Sequence, residues 1–280
     1  MLFLVIPLAS SVQQAWASGV EPGQSGAKVL VFPISGAISA AQADAFADAL
    51  QVAQSGGYSA VVITLSTPGG SLDSMLRIIQ SIDGSPLPVI GYVTPAGATA
   101  WSAGTYILMA THLAAMAPST VIGSCQPVQY SAAGSVPIDD PKILNAVIEV
   151  MVTQAGNRGR NVTLAEEFIT LNTNVNDAEA LARGAIEVRA ASLIDLLQQA
   201  DGMAVNTTAG LVTLSTAGAQ ADQYSYRLRD LIVGVLSDPV LANILIATDE
   251  GRLRLSATNL ELGISCWIGA QIAEEGAVTV

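Results

Sequence analysis

The chain is organised around the stretch Thr94-Pro-Ala-Gly-Ala-Thr-Ala-Trp-Ser-Ala-Gly-Thr-Tyr-Ile-Leu108, in which small residues surround one serine, Ser102. A strand-like run at residues 88–93 leads into this stretch, and residues 105–110 have the composition of a buried helix. A serine at a helix start lies where backbone N–H groups and the helix dipole favour negative charge. Ser102 is therefore a candidate nucleophile, because its attack on a carbonyl creates an oxyanion. A packed turn of Ala, Gly and Ser is the alternative interpretation.

The surrounding sequence alternates between strand-like and helix-like segments at short spacing. Strand patterns cover residues 28–34, 58–65 and 88–93, and helical patterns cover residues 40–55 and 71–82. Such βαβ units predict a mainly parallel sheet, in which sites form at the carboxyl ends of the strands. The turn Thr67-Pro-Gly-Gly70 and the segment before Ser102 both follow strands. We therefore expect these two segments to lie on the same edge of the sheet.

Further elements are predicted along the rest of the chain. They are short strands at residues 113–117, 119–122 and 186–188, helices at 141–152, 164–169, 177–183 and 192–200, and a hairpin within 207–220. Residues 126–140, rich in Ser, Gly, Pro and Ala, are predicted to form a loop. The apolar stretch 231–247 is interrupted by Asp238-Pro239, so neither half is long enough to span a bilayer.

The N-terminal residues have the pattern of an export signal. Residues 1–17 are mainly apolar and end in the A-x-A motif Ala15-Trp-Ala17, although a positive charge is missing apart from the terminal amine. A polar segment at residues 18–26 is predicted to be a linker into the folded domain. We therefore expect an exported, extracytoplasmic protein.

The composition excludes several classes of function. The net charge of −12 argues against nucleic-acid binding and against a polybasic membrane-surface patch. Two cysteines, Cys125 and Cys266, are too few for a disulfide scaffold or a cysteine-rich zinc site, although a single bridge between them stays open. We expect no metal and no cofactor.

The basic residues narrow the choice of a general base. His112 is the only histidine, so any Ser-His-Asp triad would have to use it. It lies past the end of the helix that follows Ser102, and we interpret it as structural. Lys142 is one of two lysines, with Lys28, and lies at a predicted helix start where the dipole disfavours a cation. A lysine acts as a base when desolvation lowers its pKa.

Glycines near the candidate nucleophile suit an oxyanion hole. Gly69 and Gly70 offer backbone N–H groups with no Cβ atom in the way. Together with the serine and the lysine, they complete the parts that acyl transfer needs.

In combination, the motifs resemble the NfeD-type, ClpP-class membrane-bound serine proteases. The matching segments are 67–70, 95–107, 112–118, 122–127, 141–142 and 165–169, and the match runs from about residue 28 to residue 202. The resemblance implies an α/β, ClpP/crotonase-like fold of repeated ββα-type units with a mainly parallel sheet, at residues 27–205. It also implies endopeptidase activity through a Ser-Lys dyad, with Ser102 as nucleophile, Lys142 as general base, and Gly70 and the N–H of Ala103 at the oxyanion positions.

The resemblance further implies association with the membrane, a substrate and an assembly. Family members cleave the hydrophobic C-terminal segment of a stomatin-like membrane protein, and the fold commonly forms homodimers or higher homo-oligomers. In the wider ClpP class a histidine precedes a Gln-Pro pair. Here Cys125 precedes Gln126-Pro127, which is consistent with a lysine in place of that histidine.

The C-terminal part departs from the family, and other functions stay open. Full-length members continue into transmembrane helices, whereas residues 206–280 resemble only a truncated start of that region before the chain turns charged. One alternative is a non-catalytic ClpP-fold module for binding or assembly at the membrane. A crotonase-type acyl-CoA enzyme is disfavoured, because between residues 28 and 151 only Arg77, Lys28 and Lys142 are available for the CoA phosphates.

Overall fold

The computed structural model of the chain describes residues 26–131, 134–226, 243–249, 252–258, 263–269 and 277–279. Within these ranges the helices are α1 (Ala40–Ser55), α2 (Leu72–Asp83), α3 (Ala103–Ala110), α4 (Pro141–Asn157), α5 (Val162–Thr170), α6 (Asp177–Ala182) and α7 (Leu193–Ala200). The strands are β1 (Lys28–Ser35), β2 (Ala60–Ser66), β3 (Val89–Val93), β4 (Thr99–Trp101), β5 (Leu113–Met116), β6 (Val121–Gly123), β7 (Val128–Ser131), β8 (Gly134–Pro137), β9 (Asn174–Asn176), β10 (Val188–Arg189), β11 (Ala204–Thr207), β12 (Gly210–Thr213), β13 (Gln220–Gln223), β14 (Asn243–Asp249), β15 (Arg252–Thr258), β16 (Gly263–Gly269) and β17 (Ala277–Thr279). The predicted signal peptide and nearly all of the predicted linker lie outside the described residues.

A six-stranded parallel sheet in the order β10-β5-β3-β2-β1-β13 forms the centre of the fold. Its central strands are buried on both faces, as their continuous apolar runs predict. On one face Val31 and Ile90 pack in a cluster with Leu196 of α7. On the other face Phe32 packs in a second cluster with Phe46 of α1. The predicted α/β architecture with a mainly parallel sheet is therefore confirmed.

A second, small sheet lies beside the carboxyl end of β2 and leads into α3. Its strand order is β4-β6-β9. Thr67, directly after β2, forms an isolated bridge with Ala100 of β4, and Gly70 forms another with Ile38. These bridges place the turn after β2 against the strand that precedes Ser102. The prediction that the two segments share one edge of the sheet is confirmed.

The segment predicted as a loop at residues 126–140 contains a hairpin. Strands β7 and β8 pair in antiparallel register from Val128 with Pro137 inward. The N–H of Ile138 donates to the carbonyl of Pro127 at 2.9 Å and closes the neck of this hairpin. The prediction of a loop was wrong here because the composition of these strands is small and polar, without the usual β-branched alternation.

Helix α4 runs to Asn157, five residues beyond its predicted end at residue 152. The extra turn is stabilised by contacts that a local pattern does not show. Gln154 is buried, and its Nε2 donates to the carboxylate of Asp83 in α2 at 2.7 Å.

The sheet extends beyond the predicted domain boundary at residue 205. Strand β13 pairs with β1 in parallel register, and the N–H of Tyr224 donates to the carbonyl of Val31 at 2.8 Å. The rings of Tyr224 and Tyr226 then pack on Phe32, with ring centroids 5.2 and 5.4 Å away. The hairpin predicted within residues 207–220 is formed by β11 and β12 at residues 204–213, so it begins three residues earlier than expected.

The described C-terminal segments form an antiparallel sheet in the order β16-β15-β14-β17. Residues 227–242, which hold most of the apolar stretch 231–247, lie outside the described residues, and β14 covers the end of that stretch.

No helix in the described part of the chain combines the length and the apolar character that crossing a membrane requires.

Candidate active site

Ser102 lies between β4 and α3 in a strained backbone conformation. Its φ of 50° and ψ of −120° are rarely adopted by a residue with a side chain. The N–H of Ser102 donates to the carbonyl of Gly123 at 2.9 Å, and its own carbonyl accepts from Thr105 at 2.9 Å. Hydrogen bonds to the N–H and to the carbonyl of Ser102 therefore maintain its strained conformation. The hydroxyl group does not cap α3, and it bonds to no protein group among the described residues.

The turn after β2 approaches the serine so closely that only glycine fits. A Cβ atom on Gly69 would lie 2.8 Å from Cβ and 3.3 Å from Oγ of Ser102, and Gly69 has a φ of +115°. A Cβ atom on Gly70 would lie 2.3 Å from the backbone N and O of Ile38. Gly69 therefore gives the candidate nucleophile clearance, and Gly70 allows the backbone of Ile38 to approach the turn.

The two glycines differ in what their N–H groups do. The N–H of Gly69 donates to Oγ1 of Thr67 at 3.0 Å. Within the described residues, the N–H of Gly70 and that of Ala103, the first residue of α3, have no acceptor. Gly70 and Ala103 thus each offer a free donor near the serine.

Cys125 links the serine to the neck of the hairpin. Its Sγ lies 3.7 Å from the carbonyl oxygen of Ser102 and 3.4 Å from that of Gly123. Burial raises the pKa of the Cys125 thiol to about 12, so the group stays protonated at neutral pH. Cys125 is a free thiol, so the bridge to Cys266 that the sequence left open does not form in this structure.

The hairpin neck returns the chain from Cys125 to Lys142. Nε2 of Gln126 donates to Oδ1 of Asp139 at 3.2 Å, across the neck. On its other side, the backbone N–H of Gln126 donates to Oδ1 of Asn172 at 3.0 Å. These hydrogen bonds therefore keep the two ends of the hairpin, at Gln126 and Asp139, close to each other. Lys142 lies three residues after Asp139, so its backbone is near the segment that contacts the serine.

Lys142 is the second residue of α4 and is exposed. Its N–H donates to Oδ1 of Asp140 at 2.8 Å, which makes Asp140 the N-cap of the helix. No ion pair joins Lys142 to Asp139 or Asp140 within the described ranges. Asp139 instead accepts from Gln126, and Asp140 accepts from the backbone N–H of Lys142.

His112 lies at the opposite end of α3 from the serine. The eight residues of α3 separate the two by about 12 Å of helix. Nδ1 of His112 accepts the N–H of Val89 at 3.0 Å. Burial, with the nearby charges of Arg158 and Arg160, lowers the pKa of His112 to about 4. The interpretation of His112 as structural agrees with this position.

Two arginines that the sequence analysis did not single out bind the C-terminal end of α3. Nη1 of Arg160 donates to the carbonyls of Leu108 and Met109 at 3.1 and 2.8 Å. Nε of Arg158 donates to the carbonyl of Ala110 at 2.9 Å. The side chain of Arg160 is almost fully buried and also forms a bidentate pair with Glu187 at 2.8 and 2.7 Å. A signal was present in the sequence, because Arg158-Gly-Arg160 is a basic cluster in an acidic chain.

Among the residues that the structure describes, no group of three or more His, Cys, Asp or Glu side chains is placed to hold a metal ion.

These features define a class: α/β proteins in which a strained serine precedes a helix and unpaired N–H donors stand beside it. Within this class, the chain belongs to the NfeD1b family, because the model of the NfeD1b N-terminal domain matches residues 28–225. The match covers the central sheet and all of the candidate site. The resemblance that the sequence motifs indicated is therefore confirmed.

Known relatives are proteases. The membrane-bound protease PH1510 of Pyrococcus horikoshii is 39% identical over 221 residues, which are 78% of this chain and 50% of that protein. The chain therefore spans about half the length of this curated relative.

Solved structures of a related protease share the fold. One is a lysine-to-alanine variant of the 1510-N membrane-bound stomatin-specific protease in complex with a substrate peptide. It is 38% identical with a TM-score of 0.71, and the match covers 76% of this chain and 98% of that chain. A serine-to-alanine variant of the same protease is 40% identical with a TM-score of 0.68, covering 72% and 99%. The fold class implied by the sequence motifs is thus confirmed.

Proposed function

We propose that the chain is a serine endopeptidase with a Ser-Lys dyad, in which Ser102 is the nucleophile and Lys142 the general base. The observation that carries this proposal is the geometry at Ser102: a strained serine with a free hydroxyl at a helix N-terminus, beside the unpaired N–H groups of Gly70 and Ala103. Support comes from the relatives, which are proteases and whose solved variants replace a serine and a lysine.

The chemistry follows from these roles. Oγ of Ser102 attacks the scissile carbonyl while Nζ of Lys142 takes its proton. The N–H groups of Gly70 and Ala103 stabilise the oxyanion of the tetrahedral intermediate. The lysine then protonates the leaving amine, which breaks the peptide bond and leaves an acyl-enzyme. A water molecule, deprotonated by the same lysine, hydrolyses that ester.

The oxyanion hole that we propose is smaller than the sequence suggested. Gly69 was one of three expected donors, yet its N–H is bonded to Thr67. A donor already paired inside the protein has no hydrogen left for the substrate oxygen. We therefore assign the hole to Gly70 and Ala103, and we assign to Gly69 the clearance around the serine.

The exposure of Lys142 sets a condition on catalysis. A lysine accepts a proton only when its neutral amine is populated, and desolvation promotes that form. Because Lys142 is exposed in the single chain, the surroundings must change when the enzyme works. A bound apolar substrate, or a second copy of the chain in a homodimer or larger oligomer, would exclude water from the amine.

The surface near the serine suits an apolar substrate. Trp101, directly before Ser102, is 40% exposed, and Val128 and Val136 of the hairpin are also exposed. Large apolar side chains around a site favour apolar ligands. We propose hydrophobic segments of membrane proteins as substrates, and the C-terminal segment of a stomatin-like protein in particular, since the solved relatives are stomatin-specific. Export and membrane association are part of the same proposal.

The test is cleavage of hydrophobic peptides, including a stomatin-like C-terminal peptide, by the full chain and its variants. We expect Ser102→Ala and Lys142→Ala each to lower the rate by about 10⁴-fold or more while the fold is retained. Two matched controls, Ser124→Ala and Lys28→Ala, should stay within about threefold of the parent rate, because Ser124 also has a positive φ but bonds to Asn174, and Lys28 lies over the ring of Tyr58.

Two outcomes would overturn the proposal. Equal cleavage by the parent chain and both dyad variants would place the activity elsewhere. Binding of the stomatin-like peptide without cleavage would instead support the alternative of a non-catalytic binding module.

A further inference from the structure

Thr67 holds the strand that leads to the candidate nucleophile. Its side chain is buried, with 2% of the residue exposed. Its N–H donates to the carbonyl of Thr99 at 2.8 Å, and its carbonyl accepts from Trp101 at 3.1 Å. The backbone of Thr67 therefore pairs with both ends of β4, the strand directly before Ser102.

The hydroxyl group of Thr67 fixes the glycine turn. Oγ1 lies 2.6 Å from the carbonyl oxygen of Gly36 and accepts the N–H of Gly69 at 3.0 Å. A hydroxyl group has one proton, and the shorter distance assigns it to Gly36 rather than to the carbonyl of Gly69 at 3.1 Å. The group therefore bonds the end of β1 as a donor and the turn as an acceptor.

This bond determines which N–H of the turn stays free. Pro68 has no N–H group, and the N–H of Gly69 is occupied by Thr67. The first free donor of the turn is therefore that of Gly70. Without the hydroxyl, the N–H of Gly69 would lose its acceptor. The peptide unit of the Gly70 donor would then be oriented on this side only by the N–H of Ile38, which donates to the carbonyl of Gly69 at 2.8 Å.

The methyl group of Thr67 touches the other half of the site. A Cβ atom on Gly104, in the first turn of α3, would lie 2.6 Å from Cγ2 of Thr67. The methyl group thus lies against the helix backbone next to Ala103. One buried side chain contacts both segments that carry the free donors.

We propose that Thr67 is a positioning residue for the oxyanion hole, which sets the direction of the Gly70 donor and its spacing from the Ala103 donor. The inference rests on the proposed function, since it gives the two N–H groups a substrate oxygen to bind. A residue that only filled space between β2 and α3 would affect stability and leave the rate of the chemical step unchanged.

The first test compares Thr67→Val with Thr67→Ser in the full chain. Valine keeps the shape and removes the hydroxyl, whereas serine keeps the hydroxyl. We expect Thr67→Val to lower kcat about 10- to 100-fold with KM within threefold, because a donor displaced by about 1 Å loses much of its effect. Thr67→Ser should recover kcat to within about threefold. The control is Thr216→Val, another fully buried threonine whose Oγ1 donates to a carbonyl, that of Leu197.

Several kinetic results would overturn the inference. They are an unchanged kcat in Thr67→Val, an equal loss in Thr67→Ser, or an equal loss in Thr216→Val.

A second measurement separates this inference from the proposed function. Amide hydrogen exchange of Gly69, followed by NMR on the glycine-labelled chain, measures how well the Thr67 hydroxyl protects this N–H and requires no cleavage activity. We expect at least about tenfold faster exchange in Thr67→Val than in Thr67→Ser. If the parent chain cleaves no peptide, the proposed function fails. Faster exchange then still supports the positioning of Gly69, whereas unchanged exchange overturns it.

Discussion

At the N-terminal end of α3, the first backbone N–H group has no acceptor among the described residues and the preceding serine is strained. At the C-terminal end, in contrast, the carbonyl oxygens of Leu108, Met109 and Ala110 all accept hydrogen bonds from arginine side chains. Both ends of any helix leave polar backbone groups without intrahelical partners. This protein satisfies those groups with buried charge at one end only.

The difference shows where the structure leaves room for a ligand. Arg160 is buried and pairs with Glu187, so the C-terminal end is anchored to the rest of the domain. At the N-terminal end, the Ala103 N–H has no acceptor among the described residues, and Gly69 leaves space beside Ser102. An anchored helix with one open end presents its free donors in a fixed direction, and fixed donors stabilise a developing oxyanion best.

The largest expected effect is at the anchored end. Arg160→Met would remove the cation that pairs with the Glu187 carboxylate and one hydrogen bond from each of two helix carbonyls. We expect a loss of about 3 kcal/mol in the free energy of unfolding. The measurement is urea denaturation. Arg183→Met is the control, because Arg183 pairs with Glu167 nearer the surface, and its loss should be clearly smaller than that of Arg160→Met. Equal losses in the two variants would remove the contrast between the two ends.

The next effect is at the open end. Gly69→Ala places a Cβ atom against Ser102, and we expect the cleavage rate to fall about 100-fold. The control is Gly57→Ala, since Gly57 also has a positive φ but no atom within 4 Å of the added Cβ. That variant should lose about 1 kcal/mol of stability and keep its rate within about twofold. A Gly69→Ala enzyme with the parent rate would show that clearance at the serine is unimportant.

The smallest effect concerns His112 and pH. Its folded-state pKa of about 4 lies below the ordinary value of 6.5, so the folded protein holds it neutral while the unfolded chain binds a proton. The unfolded chain gains a proton on His112 below pH 6.5, whereas the folded chain does so only near pH 4. The stability of the fold is therefore unaffected by His112 above pH 6.5 and falls as the pH is lowered from 6.5 toward 4. Between pH 7 and pH 4.5 the parent chain should lose about 2 kcal/mol more than His112→Asn in urea denaturation. The charged groups near His112 that lower its pKa, in addition to burial, are Arg158 and Arg160. Parallel pH profiles would contradict the buried, neutral histidine.

The sequence predicted the central fold because its signals are local. The buried strands appear as continuous apolar runs, and Ser102 stands out because it precedes a helix after a strand. Contacts between segments that are distant in the chain produce no local sequence pattern. Strand β13 joins β1 across most of the chain, and Arg160 bonds to a carbonyl 52 positions earlier. The sequence also treated Gly69 and Gly70 alike, since only the hydrogen bond from Gly69 to Thr67 distinguishes an occupied donor from a free one.

The most direct test of the central claim is covalent labelling of the full chain with a fluorophosphonate, a reagent for nucleophilic serines, with the modified residue mapped by mass spectrometry. We expect a single adduct on Ser102, no adduct in Ser102→Ala, and labelling of Lys142→Ala that is slower by about 100-fold or more. An adduct on another residue, or equal labelling of Ser102→Ala, would contradict the assignment of Ser102 as the nucleophile.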